Sequence, residues 1–243
     1  MLILGIDTSS SLGAIGLFDE NGLVAEANIR LFHRHSEELI SNIEFILKQS
    51  ARSSKELSAI AVVSGPGSFT GLRIGLSTAK TFAQVLEIPL VSLSSLDVLA
   101  YNLNFSETYI VPLIDAKRER VYTSIYSKWD QDIQEQKLEK DTAIEVEKLI
   151  EKLLNLDSES TYNLVGGGAK KYGQYFEDSD LHINIASDSI SVPRGGVIAE
   201  LGYYYLNNAK AENYLQVNAN YLKKPQAEIN WLKKYGTGEG NGN

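Results

Sequence analysis

The chain opens with short apolar runs separated by polar or glycine-rich turns. Residues 2–6 read as an apolar strand ending at Asp7. The hydroxyl turn Thr8-Ser9-Ser10-Ser11 leads to a second strand over 12–18. Asp19-Glu20-Asn21-Gly22 is a hairpin turn signal, and 23–31 alternates imperfectly as a third strand. The period then changes. Ser36 is suited to cap a helix running through Ser50, in which Leu39, Ile40, Ile43, Ile46 and Leu47 fall on one face. A strand over 57–64 runs through a glycine-rich turn into a helix over 72–86. A short strand over 89–93 and a helical stretch over 94–101 follow.

The pattern restarts at Tyr109. Residues 109–115 are again an apolar strand ending in an acid, Asp115. A polar turn over 116–119 leads to a strand over 121–126, and a third strand is expected near 133–138. A helix over 142–154, a strand over 162–165 running into Gly166-Gly167-Gly168, and a long helix over 192–207 with Pro193 at its start complete the reading. The order β-β-β-α-β-α thus occurs twice, offset by roughly a hundred residues, with little identity between the halves. The expected organisation is an α/β protein of two related lobes, each a mixed sheet with flanking helices. The first lobe spans 1–105, with the helix near 193–207 as a candidate to complete it. The second spans 106–235, and a polar, glycine-rich tail covers 236–243.

Composition narrows the chemistry. The 243 residues are 43% apolar and 22% charged, as in an ordinary globular protein. A net charge of −8 argues against nucleic acid bound mainly by this chain alone, although Lys117, Arg118 and Arg120, Lys170 and Lys171, and Lys223 and Lys224 form small basic clusters. There is no cysteine, which removes disulfides, thiol nucleophiles and cysteine zinc sites. An acid by position 7 and no basic start argue against a signal peptide. No apolar run reaches membrane-spanning length, so the expected location is the cytoplasm.

Asp7 at a strand end beside hydroxyls, echoed by Asp115, suggests an actin-like ATPase architecture, with nucleotide and metal between two facing lobes. An acid at each inner turn can hold metal-bound water, and small turn residues let backbone amides reach phosphates. The first turn, with Ser9 and Ser10, suits that role. The second puts Lys117-Arg118-Glu119-Arg120 where small residues are needed. For both acids the plainer reading is a polar strand terminus. Gly166 and Gly167 stand where an adenosine lies in actin-like enzymes, and a tight turn explains them equally well. His33, His35 and His182 have no carboxylate cluster evident beside them, and no Gly-x-Ser-x-Gly nucleophile turn occurs at Ser64–Ser68. Gly71, Gly75, Ala79 and Ala83 recur every four residues and line one helix stripe. Two readings stay open for it: packing within the chain, or a subunit interface. On the second reading, Gly75→Leu weakens dimer formation without unfolding the chain.

Several stretches together resemble the bacterial TsaB (YeaZ) family. They are Leu4-Gly5-Ile6-Asp7-Thr8-Ser9, His35-Ser36-Glu37-Glu38-Leu39, Ser64-Gly65-Pro66-Gly67-Ser68-Phe69-Thr70-Gly71-Leu72-Arg73-Ile74-Gly75, Ser92-Leu93-Ser94-Ser95-Leu96-Asp97, Ile114-Asp115-Ala116-Lys117-Arg118 and Tyr221-Leu222-Lys223-Lys224-Pro225. The resemblance implies a duplicated actin-like (ribonuclease H-like) fold and a subunit of the machinery that makes threonylcarbamoyladenosine in tRNA. It implies kinship with TsaD, the catalytic paralogue that holds a metal with a histidine pair. The corresponding stretch here, 92–99, has no histidine. The implied role is a catalytically degenerate partner that binds and stabilises TsaD, with TsaE docking on that pair and TsaC supplying the threonylcarbamoyl-adenylate. Self-association through the same surface is implied when the chain is alone.

No catalytic or metal residue is implied, and no cofactor of the chain's own; ATP or ADP and magnesium enter only in complex with TsaD. Contact with tRNA is indirect, and no membrane is involved. The implied interface carries His35, Leu39, Gly71, Leu72, Gly75, Leu76, Ala79 and Ala83. Asp7, Ser9, Ser10, Asp115, Gly166 and Gly167 are candidates for a vestigial nucleotide site. The alternative is an independent actin-like ATPase or kinase with an interlobe nucleotide site. A glycoprotein-directed peptidase ranks last, because the chain offers no triad or metal set.

Overall fold

A computed structural model describes residues 1–30, 35–127, 133–208 and 213–222. The first half contains β1 (Leu2–Asp7), β2 (Leu12–Asp19), β3 (Gly22–Arg30), α1 (His35–Gln49), β4 (Leu57–Gly65), α2 (Phe69–Leu86), β5 (Leu90–Ser94) and α3 (Ser95–Tyr101). The second contains β6 (Tyr109–Asp115), β7 (Arg120–Thr123), α4 (Ile133–Gln136), β8 (Thr142–Glu145), α5 (Val146–Leu156), β9 (Thr161–Val165), α6 (Gly167–Glu177), β10 (His182–Ile185) and α7 (Gly195–Asn207).

The two sheets repeat one topology. The first has the order β3-β2-β1-β4-β5 and the second, read from the same side, β8-β7-β6-β9-β10. In each, the first three strands form an antiparallel meander and the last two add in parallel to the first strand. A central strand buried on both faces reads as a continuous apolar run, which is why residues 2–6 lack alternation. Leu2, Leu4 and Ile6 pack with α1 and α2 on one face, while Ile3 packs with α3 and α7 on the other.

α7 crosses the first sheet after the chain has completed the second. It does so on glycine: a Cβ on Gly16 would fall on the Gly195 carbonyl, and one on Gly195 on the Ile15 carbonyl. Side chains of β3 satisfy its first turn. Glu26 accepts from Gly196 N at 2.9 Å and from Arg194, and Asn28 accepts from Gly195 N. α3, which follows the first sheet, packs in turn against β6 of the second.

Three elements differ from the sequence reading. The strand expected near 133–138 is instead the single turn α4 followed by a bridge between Tyr126 and Lys137. The third strand of that lobe is β8, four residues from the expected helix; β-branched Thr142 and Ile144 pair with Thr123 and Val121 before the chain turns into α5 at Glu145. β10 was not expected. It is a short edge strand in which Ile183 and Ile185 alternate with His182 and Asn184, a period-2 signal only four residues long on mostly exposed positions. The 236–243 tail lies outside the described residues.

Candidate functional site

The glycine-rich turn after β4 lies against the turn after β1. Ser68 N donates to Ser9 O at 2.7 Å, and Thr8 Oγ1 donates to Gly71 O at 2.7 Å. Ser68 caps α2 by accepting from Gly71 N. A Cβ on Gly67 would stand 2.7 Å from Ser9, one on Gly71 would enter the Thr8 carbonyl, and one on Gly75 would stand 2.6 Å from Thr8 Oγ1. The glycines therefore let two backbones of the same chain meet. Gly65, at φ +123, faces Asn220, whose N–H donates to Ser64 O.

This geometry settles how the stripe is used within the chain. Gly71, Leu72, Gly75, Leu76, Ala79 and Ala83 are all buried in the chain's own packing, as is Leu39 on α1. A leucine at position 75 would meet Thr8 inside the fold, so the expectation that Gly75→Leu spares folding is corrected. The His35 side chain and His33 lie outside the described residues. The exposed side of this helix pair instead carries other apolar groups. Ile40 is 47% exposed, Phe45 56% and Val85 73%. Exposed large apolar side chains on two neighbouring helices are a feature of association surfaces.

Between the lobes lies a cleft of about 340 Å³, at the lower end of small-molecule sites. It brings together Ser9, Ser10 and Gly67 from the first lobe with Asp115, Gly167 and Lys171 from the second. Asp7 does not line it. Its carboxyl is fully buried; Oδ1 accepts from Ser9 N at 2.6 Å, and Oδ2 has no hydrogen-bond partner among the described residues. Burial pushes its pKa up to about 6, against the lowering effect of the Ser9 hydrogen bonds.

Asp115 is held on every side. It accepts from Lys117 N at 2.8 Å, Lys117 Nζ at 3.0 Å, Lys171 Nζ at 2.8 Å and Tyr172 Oη at 2.9 Å. Partial burial raises its pKa, but the bonds from Lys171, Lys117 and Tyr172 outweigh that and hold it well below the carboxylate range. The following turn is strained. Lys117, Arg118 and Glu119 all have positive φ, at 64°, 56° and 56°, a conformation that costs non-glycine residues roughly 1–2 kcal/mol each. Gly166, at φ +106, and Gly168 admit the start of α6 against Leu113, whereas a Cβ on Gly167 would meet open space.

An acid locked by two ammonium groups and an acid sealed below the surface do not make a metal cradle. Among the described residues, no group of three or more His, Cys, Asp or Glu side chains could hold a metal ion. What sequence reasoning missed is that Lys171 and Tyr172, one turn into α6, reach Asp115. Only the placement of α6 beside β6 reveals the pairing.

Two lobes of identical strand order facing across a cleft define the duplicated actin-like, ribonuclease H-like class. The solved structure of YeaZ from Pseudomonas aeruginosa shares this fold, with a TM-score of 0.76 at 20% identity over 91% of this chain and 100% of that one. The family model for TsaD, tRNA N6-adenosine threonylcarbamoyltransferase, matches residues 30–231. The tRNA threonylcarbamoyladenosine biosynthesis protein TsaB of Bacillus subtilis is 40% identical over 126 residues, which are 52% of this chain and 55% of that protein. TsaB of Escherichia coli is 27% identical over 79% of this chain and 85% of that protein. The match thus spans about half the length of the Bacillus relative and most of the Escherichia one. The chain belongs to the TsaB (YeaZ) family of tRNA threonylcarbamoyladenosine biosynthesis proteins, itself related to TsaD.

Proposed function

We propose that the chain is a non-catalytic partner subunit of the tRNA threonylcarbamoyladenosine machinery, and that it binds and stabilises TsaD through α1 and α2 while TsaE docks on the pair. The observation that carries this reading is the contrast between the two candidate surfaces. The cleft has its acids sealed or neutralised, while the α1–α2 pair leaves Ile40, Phe45 and Val85 in solvent. The interface expected on the small-residue stripe moves accordingly to the outer side of the same helices. The stripe brings α2 close to β1 and fixes how that outer side is presented.

Co-purification with TsaD tests the reading, followed by a tRNA modification assay with and without the chain. Association and a dependence of modification on the chain are expected; full modification without it contradicts the proposal. The cleft itself favours a second reading, an independent ATPase or kinase, because Ser9, Ser10 and Gly167 open into it. Calorimetry with ATP and magnesium separates the two. Tight binding by the lone chain, abolished in Asp7→Ala, would establish the second and refute the first.

A further inference from the structure

A buried polar cluster joins the lobes away from the cleft acids. Asp97 lies on α3, and Ser94 caps that helix, so both belong to the first half of the chain. Tyr126, Lys137 and Asp141 belong to the second. Lys137 Nζ stands 2.7 Å from Asp97 Oδ1 and 2.5 Å from Asp141 Oδ1. Tyr126 Oη donates to Asp97 Oδ1 at 2.5 Å, and Ser94 Oγ donates to Asp141 Oδ2 at 2.6 Å. The side chains are only 5% exposed at Asp97, 9% at Asp141 and 14% at Lys137. Tyr126 is anchored independently, by two backbone bonds to Ile110.

Both carboxylates thus bridge the lobes: Asp97 of the first takes Lys137 and Tyr126 of the second, and Asp141 of the second takes Ser94 of the first beside Lys137 of its own half. Two buried carboxylates repel unless a cation lies between them. The only cation between them among the described residues is the Lys137 ammonium. Burial presses its pKa down, but Asp97 and Asp141 outweigh that and hold it above the ordinary lysine value, so it stays charged. Lys137 follows α4, in the stretch that departs from the regular strand pattern, and that departure is what carries its side chain to α3.

We propose that Lys137 is a tethered cation that locks the two lobes together, and that Asp97, Asp141, Tyr126 and Ser94 form a cradle that takes a small organic cation when the lysine is removed. The lock rests on this geometry alone and stands whether or not the chain is a partner subunit. It makes the two lobes one rigid body, in which opening the cleft requires separating buried opposite charges.

Lys137→Ala tests it by amide hydrogen exchange and thermal melting. Exchange is expected to rise roughly tenfold in α3 and around Tyr126, with α1 and α2 unchanged. Methylammonium at about 100 mM should restore part of the lost melting temperature, whereas the same concentration of tetramethylammonium, too bulky for the cradle, should not. An even rise in exchange across the chain, or an equal response to both cations, overturns the proposal. If Lys137→Ala does not fold, Asp141→Asn keeps the shape, leaves a neutral Asp97–Lys137 pair and weakens the second attachment from an ion pair to an uncharged hydrogen bond. Faster exchange confined to α3 and the Tyr126 region supports the lock; unchanged exchange there overturns it.

Discussion

At the scale of single residues, Asp7 and the glycines give the sharpest expectations. Asp7 has a folded pKa of about 6 against 3.8 for a free side chain, so the native state holds its proton more tightly than the unfolded one. Its effect on stability is absent below the unfolded value. It becomes increasingly unfavourable as pH rises through the window between the two, and is fully unfavourable above the folded value. Asp7→Asn keeps the acceptor for Ser9 N and removes the buried charge. It should therefore raise stability at pH 7.5 by on the order of 1–3 kcal/mol, with the gain vanishing near pH 3.5. Denaturant melts of both proteins across that range check the sign. The glycines divide in the same way. Gly71→Ala drives a methyl into the Thr8 carbonyl and should cost more than about 3 kcal/mol or prevent folding, while Gly167→Ala meets open space and should change stability by less than roughly 0.5 kcal/mol. Comparable denaturation midpoints for the two variants would contradict this placement.

At the scale of elements, the first half was legible because burial wrote its pattern into the sequence. β1 and β4 each carry a near-continuous apolar run, residues 2–6 and 59–63, and α1 and α2 show the period of a half-buried helix. The second half was less legible where its elements are short and half-exposed. β8 has only intermediate burial and β10 is mostly exposed; the alternation of Ile183 and Ile185 with His182 and Asn184 is too short a run to stand apart from a loop. The Gly71–Ala83 stripe reveals close packing from sequence but not the identity of the packed neighbour. At Gly71 and Gly75 that neighbour is Thr8, more than sixty residues earlier, joined by the hydrogen bond to Gly71 O, while Ala79 and Ala83 join the apolar core. The surface proposed for association was hidden for the converse reason. Ile40 sits among the apolar positions of α1 that suggest burial, and only the fold shows which of them remain open. Phe45→Asp and Val85→Asp add charge at exposed positions and should leave melting nearly unchanged. Each should weaken binding to TsaD by about tenfold or more, as read by calorimetry. Unaltered affinity in both variants would remove the helix pair from the interface.

At the scale of the whole molecule, a duplicated fold is built around a cleft, and its two strand-end acids are bonded within the chain. Asp115 ties β6 to α6 through Lys171 and Tyr172, and Asp7 bonds the turn that receives the glycine motif. α7 returns from the second half to cover the first sheet, and the Lys137 cluster joins the lobes a second time. Both arrangements favour a rigid body that presents a surface over one that opens and closes on a substrate. The central claim is that the chain supports tRNA modification through association and not through chemistry in its cleft. The most direct test is the rate of threonylcarbamoyladenosine formation in a mixture of TsaC, TsaD, TsaE, tRNA, ATP, threonine and bicarbonate, supplemented with the Asp7→Asn/Asp115→Asn double variant in place of the wild-type chain. The account predicts a rate within about twofold of wild type. A fall of roughly tenfold or more with TsaD binding intact would contradict it.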